Sequence, residues 1–343
     1  MPKNKKSSHQ NNIKNPTNIG VLLLNLGTPD ATDYFSMRRY LKEFLSDKRV
    51  IEANPILWWF VLNFIILTFR PNKSGALYAK IWDKDKDDSP LRVISNSQAK
   101  KLQQSMGKDV IVDIAMRYGN PSIKDKLKTL KSKGCDRILL LPLYPQYSSP
   151  TMASSYDKVF DELKTMRFQP AIRTTPAYFS NSTYIEALAN SLLKGIKKAG
   201  FEPDVVITTY HGMPESYRDA GDPYYEQCHE TTRLLGEKLG WNKDRIIVTF
   251  QSRFGAGEWI KPYTDEILAD LPNKGIKKIA ILAPAFFVDC LETLEEIAIE
   301  AREEFLKNGG EKYAYISCLN DSEAGMDVIE EIAHKELRGW LKT

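Results

Sequence analysis

The stretch VVITTYHG, residues 205–212, is a run of apolar and β-branched residues closed by a histidine and a glycine. A run of this kind reads as a strand covered on both faces, as in a parallel sheet. In an open parallel sheet, ligands bind beyond the carboxyl ends of the strands. His211 stands at such an end, with Gly212, Met213 and Pro214 following it, and is therefore the first candidate for chemistry.

Seven further runs share the pattern. Upstream lie VLLLNLG (21–27), VIVDIAMRYG (110–119), ILLLPLYPQ (138–146) and the weaker PAIRTTPAYF (170–179). Downstream lie IIVTFQSRFG (246–255), IAILAPAFF (279–287) and AYISCLND (314–321). Helical patterns separate them, which implies βαβ units and an α/β fold with parallel sheets. Four runs in each half, in the same order, predict two similar halves, 19–180 and 181–343, hinged around 180–190. Their polar residues cluster at the carboxyl ends: Asn25, Arg117, Tyr118, Tyr144, Gln146, His211, Gln251, Arg253 and Asp289. A cleft between the halves, lined by these tips, is the expected site.

The 343 residues carry 48 Lys and Arg against 44 Asp and Glu, a net charge of +4. Much of that excess lies in MPKNKKSSHQNNIKNPTN, 1–18, which has no apolar face and reads as a disordered tail. The remaining body is nearly balanced, which argues against a nucleic-acid partner. The basic start is not followed by an apolar stretch and a small-residue cleavage site, so no signal peptide is read. Cys135, Cys228, Cys290 and Cys318 include no C-x-x-C pair, so neither a zinc knuckle nor a disulfide framework is indicated, and a reduced cytoplasmic setting is expected. Neither a dinucleotide fingerprint nor a phosphate loop is present.

Residues 55–69 read PILWWFVLNFIILTF. At fifteen residues the segment is shorter than the roughly twenty needed to span a bilayer. Two readings stay open: a buried core helix, or an exposed flap that rests on a membrane surface or closes over an apolar ligand. Trp58 and Trp59 suit an interface, and Arg38, Arg39, Lys42, Lys48, Arg49, Arg70 and Lys73 suit anionic headgroups. The same face would also serve as a homodimer contact.

The second chemical feature is DCLETLEEIAIEAREEFL, 289–306. Asp289, Glu292, Glu296, Glu300 and Glu303 recur at three and four residues, so on an α-helix they share one face, while Leu291, Leu294, Ala298, Ala301 and Phe305 share another. The acidic face is either solvated or begins inside the cleft. In the second case burial and mutual repulsion raise the carboxyl pKa values, and the row can relay protons or draw in a cation. Of the other histidines, His9 lies in the tail, and His229 and His334 fall on helices. Arg70, Tyr78, Arg117, Tyr118, Tyr144, Trp259, Phe286 and Phe287 add the aromatic and guanidinium groups that a flat apolar ligand bearing carboxylates would need.

The ordered set LLLNLGTPD, AMRYGNPS, LPLYPQYSSPT, YHGMPESY with GDPYYEQC, FQSRFGAGEW and PAFFVDCLETLEEI resembles the ferrochelatases, which insert Fe²⁺ into a porphyrin at the end of haem synthesis. The resemblance covers about 19–337. It implies two Rossmann-like domains of chelatase type, each with a four-stranded parallel sheet flanked by helices. It implies that His211 accepts pyrrole protons or ligates the metal. Glu292 occupies the position of the essential glutamate, with Asp289 and Glu296 beside it, and His211 and Glu292 are the implied metal ligands. Leu26, Arg70, Tyr78, Ser89, Arg117, Tyr118, Trp259 and Phe286 match positions around the macrocycle. Ser89 is reached through extra residues in DKDKDD, and Leu26 stands where relatives carry methionine or tyrosine.

Members acting on protoporphyrin IX carry an apolar lip that docks on membranes, which the segment within 35–75 resembles. The resemblance therefore implies protoporphyrin IX and Fe²⁺ as substrates, a peripheral place on the inner face of the cell membrane and no resident cofactor. No [2Fe–2S] cluster is expected, because no cysteine follows Cys318 and YSSPT has no thiol. Coproporphyrin as substrate, a non-catalytic porphyrin carrier and a cobalt or nickel chelatase of the same fold are the competing readings. The last of these tends to use paired histidines, where this chain offers one at the cleft.

Overall fold

The computed structural model describes residues 18–254 and 257–341, so the expected tail lies outside the described residues except for Asn18, which already belongs to the first strand. Eight strands form: β1 (Asn18–Thr28), β2 (Val110–Gly119), β3 (Cys135–Pro142), β4 (Ala171–Thr174), β5 (Val205–His211), β6 (Ile246–Gln251), β7 (Lys278–Leu282) and β8 (Lys312–Ile316). They make two four-stranded sheets ordered β2-β1-β3-β4 and β6-β5-β7-β8, and every pairing is parallel. The repeated order gives the two-sheet α/β architecture expected from the four-plus-four rhythm. Because the strands are parallel, all carboxyl ends of a sheet lie on one side, and His211 ends the second strand from one edge of its sheet.

The centre of each sheet is dry. Val21, Leu22, Leu23 and Leu24 of β1 are fully buried, which requires helices on both faces. Helix Pro90–Met106 lies against β1 and β2, and helix Ser182–Ala199 lies against β8. Residues 182–190 are thus helical rather than a hinge. Asn181 caps that helix by accepting the Tyr184 amide at 2.9 Å, and Tyr184, Ile185, Leu188 and Leu192 give it a core face. The terminal helix Glu323–Glu336 crosses to the first half and packs on helix Pro90–Met106 and β3. Its Ile329, Ile332 and Ala333 share one apolar cluster with Val21, Leu23 and Leu139 of the first sheet and Leu282 of the second. One core therefore runs through both halves.

Two features depart from regular helices. The segment 55–69 enters as helix Pro55–Phe60, continues as π-helix Val61–Ile66 and joins helix Leu67–Ile81. The acidic run is itself a π-helix, Glu292–Ala301, followed by α-helix Arg302–Lys307. π-helical turns are rare and recur at functional sites.

At the end of β1 the backbone needs a glycine. Gly27 has φ +115°, and a Cβ there would lie 1.8 Å from the Tyr118 carbonyl oxygen on β2. Gly27→Ala is expected to cost about 2 kcal/mol or more, read as a fall in Tm of roughly 4 °C or more. An unchanged Tm would refute this close-approach argument.

Candidate active site

His211 ends β5 opposite Gln251 of β6. Its Nδ1 lies 2.7 Å from the Gly212 carbonyl oxygen. A carbonyl only accepts, so Nδ1 carries the hydrogen and Nε2 is left with its lone pair, ready for a proton or a metal. Gly212 cannot be larger: a Cβ would lie 2.8 Å from the Gln251 carbonyl oxygen and 3.2 Å from the Trp259 ring. Trp259 is buried over this turn and is bridged to Pro214.

The tip of β6 draws the acidic π-helix to the histidine. Gln251 Nε2 donates to the Glu292 carbonyl at 3.1 Å, while its Oε1 accepts Thr209 Oγ1 of β5 at 2.9 Å. The next residue, Ser252, sits at φ +65° and its hydroxyl donates to the Glu296 carboxylate. Both glutamates are half-buried. Burial first, and then the charge of Glu292, push the Glu296 carboxyl up to about 7 despite the Ser252 hydrogen bond. Glu292 also adds to the burial that raises the Tyr40 and Tyr78 hydroxyls. Glu300 and Glu303 are exposed. Among the described residues no three His, Cys, Asp or Glu side chains converge as a resident metal centre.

Asp289 is placed differently from the row it was grouped with. It is 5% exposed, and its two oxygens accept from Tyr315, from Thr293 Oγ1 at 3.1 Å, from the Cys318 amide at 3.3 Å and from Asn320 Nδ2 at 2.6 Å. A carboxylate so fully engaged anchors the start of the acidic helix.

The residues matched to the macrocycle are held in several different ways. Leu26, Tyr78 and Tyr118 pack in one apolar cluster that also receives Leu291 from the acidic helix. Phe286 is half-buried at the end of β7. Arg117 and Tyr118 are committed to Asp47: the guanidinium pairs with it and the phenol donates at 2.8 Å. Burial would raise the Asp47 carboxyl, but Ser154, the Arg49 amide, Tyr118 and the Arg117 charge hold it below the ordinary value. Ser89 is buried as the cap of helix Pro90–Met106, where its hydroxyl accepts the Arg92 amide at 3.3 Å. That capping task, not a surface facing a ligand, is what the structure gives it. Arg70 is exposed on helix Leu67–Ile81.

The lip is an exposed flap, not a core helix. Ile56, Leu57, Trp59, Phe60, Phe64, Ile65 and Phe69 are between 53% and 73% exposed. Trp58, Leu62 and Leu67 hold its underside, with Trp58 Nε1 donating to the Leu45 carbonyl at 2.7 Å. No helix among the described residues is long and apolar enough to cross a membrane.

Asp47, Gln251's partnership with Glu292, Ser252, Lys80 and Glu295 were not singled out by the sequence pattern. Glu295, on a helix read with α periodicity, falls off the acidic face, yet it is the most buried glutamate of the run at 3% exposed.

The sequence matches the ferrochelatase family over residues 18–337. The chain belongs to the ferrochelatase family. It is 53% identical to the ferrochelatase of Brucella canis over 325 residues, covering 94% of this chain and 92% of that one. It is 54% identical to the ferrochelatase of Mesorhizobium japonicum over the same length and shares. Ferrochelatases are lyases that insert a metal into a porphyrin, so the chain is an enzyme of haem-type metal chelation. Its fold resembles that of SirB from Bacillus subtilis, in forms with Fe³⁺ (TM-score 0.55, 10% identity, 94% of this chain and 96% of that one) and with cobalt (0.56, 8%, 94% and 97%). At that identity the likeness concerns the fold alone.

Because burial raises the Glu296 carboxyl to about 7 in the fold from about 4.5 when unfolded, this group costs the fold nothing below the lower value and destabilises it progressively as pH climbs through the window. Above that window the loss levels off. Glu296→Gln stays neutral throughout, so its stability should gain on the parent as pH rises from about 5 to about 8, by on the order of 2–3 kcal/mol, read as a growing difference in Tm. Parallel pH profiles would show that the carboxyl titrates normally.

Proposed function

We propose that the chain inserts Fe²⁺ into protoporphyrin IX to form protohaem. The observation that carries this reading is His211, whose Nε2 has no hydrogen-bond partner among the described residues, paired in the sheet with the Gln251 that holds the acidic helix, where burial raises the Glu296 carboxyl. Metallation exchanges two pyrrole N–H protons for one Fe²⁺, and a planar ring hides its nitrogen lone pairs. A site that binds a distorted ring more tightly than a flat one lowers that barrier. Trp259, Phe286, Tyr78 and Leu26 supply apolar surface, and Arg70 supplies an exposed cation for a propionate.

In this reading His211 takes the pyrrole protons and Glu292 and Glu296 carry them out, since a group with a pKa near the working pH both accepts and releases them. Asp289 holds the helix rather than moving protons. His211 and Glu292 acting as first ligands of the incoming iron is the alternative role for the same pair, and nitrogen and carboxylate both suit Fe²⁺. The reading includes no iron–sulfur cluster: Cys135 and Cys228 are buried in separate apolar clusters.

The exposed lip supports a reading with protoporphyrin IX, rather than the more carboxylated coproporphyrin, as substrate and with a peripheral position on the cytoplasmic membrane face. Arg39, Lys42, Arg70 and Lys73 are exposed on the two helices around it and suit anionic headgroups.

The test is anaerobic incubation with Fe²⁺ and each porphyrin in detergent, followed at the Soret band. The parent should metallate protoporphyrin IX in preference to coproporphyrin III. His211→Ala should abolish turnover, and Glu292→Gln should reduce it by about 100-fold or more. Full turnover in Glu292→Gln would defeat both roles given to that carboxylate, and tight porphyrin binding without metallation would identify a carrier.

A second assay reads the lip. Trp59→Ser with Phe64→Ser should lower co-sedimentation with phosphatidylglycerol vesicles by about tenfold or more, while detergent activity is retained. Undiminished vesicle binding would assign the apolar face to another partner.

A further inference from the structure

Lys80 and Glu295 meet across the boundary between the lip and the acidic helix. Lys80 lies on helix Leu67–Ile81, in its last turn and two residues past Tyr78. Glu295 lies on π-helix Glu292–Ala301, between Glu292 and Glu296 in one direction and the core in the other. Lys80 Nζ stands 2.7 Å from Glu295 Oε1. The Glu295 side chain is only 4% exposed, and Lys80 is the sole ion-pair partner it has among the described residues. A buried carboxylate that loses its one cation is strongly destabilised in that position. A second contact runs beside the first: Leu291, from the start of the acidic helix, packs into the apolar cluster of Tyr78, Ile81 and Trp82. The two helices are thus joined by an apolar seat and an ion pair one helical turn apart.

The charges around the pair are strongly one-sided. Glu292, Glu296, Glu300 and Glu303 repel one another along the acidic helix. Apart from Glu295, Glu303 and Glu300 are the charges that favour the protonated Lys80. Ser252 and Gln251 restrain the helix from β6 by hydrogen bonds only. Lys80 supplies the opposite charge from the other side.

We propose that the Lys80–Glu295 pair clamps the lip helix to the acidic helix, making Lys80 a positioning residue that holds Glu292 and Glu296 in register with the ring bound beneath the lip. The proposal rests on the assignment of those two glutamates to the reaction. It also predicts mechanical coupling: loosening the lip loosens the acidic helix, with or without substrate.

The test compares the parent, Lys80→Met, Lys80→Arg and the double variant Lys80→Met/Glu295→Gln. In porphyrin-free protein, Lys80→Met should speed amide hydrogen exchange by about threefold or more in both Leu67–Ile81 and Glu292–Ala301. Its kcat should fall about tenfold with porphyrin Kd, from fluorescence quenching, within about twofold of the parent. Lys80→Arg should restore both readings. The double variant removes the unpaired buried carboxylate, so its Tm should recover while kcat stays low and exchange stays fast. Unchanged exchange in Lys80→Met overturns the clamp, as does recovery of kcat together with Tm in the double variant. If the parent itself fails to insert iron, the functional assignment falls, while the exchange comparison still decides whether the clamp exists.

Discussion

A carboxylate shut away from water must have its oxygens filled by donors, and Asp289 meets that constraint by gathering four of them. Tyr315 comes from β8, Thr293 from the acidic helix, and the Cys318 amide and Asn320 from the loop after β8. Asn320 is itself held from the other half, because Gln98 Nε2 donates to its carbonyl at 2.7 Å. This one buried carboxyl group therefore ties the start of the acidic helix to β8 and the loop after it, and through Asn320 to the other half. The site depends on it without needing it to touch a substrate.

The acidic helix that begins there concentrates like charges where they repel. The structure manages this in graded ways. Glu300 and Glu303 are left in water, Glu295 is paired with Lys80, and Glu296 is hydrogen-bonded by Ser252. Glu296 remains the group whose charge is least welcome at neutral pH, and that is the property a proton carrier needs. The i→i+5 pattern of a π-helix widens the turn and keeps Glu292, Glu296 and Glu300 in one row while Glu295 moves inward.

The lip follows a different logic. Its outward side chains stay more than half exposed even where Trp59, Phe60 and Phe64 pack on one another, which is the kind of apolar patch that marks an interaction site. Its inward side chains, Leu62, Leu67 and Tyr78, share a cluster with Tyr40 and Tyr118 and touch the acidic helix through Leu291. The exposed apolar face and the contact with the acidic helix thus belong to one continuous segment.

Periodicity in the sequence determined the eight strands, their parallel pairing and the place of His211 at a strand tip, because a strand buried on both faces has few ways to be written. The ordered motifs determined the family. What only the tertiary structure decided concerns partners. The length and apolarity of 55–69 suit a core helix as well as a flap, and only the absence of covering side chains among the described residues separates them. Glu295 falls off the face drawn with α spacing, and the π-helix buries it. Asp289 and Glu296 look alike in the sequence, yet one is saturated by four donors and the other is not. Ser89, matched to the ring, is consumed by a cap. A residue's type fixes which bonds it can make, but the fold alone fixes which of its neighbours reaches it first.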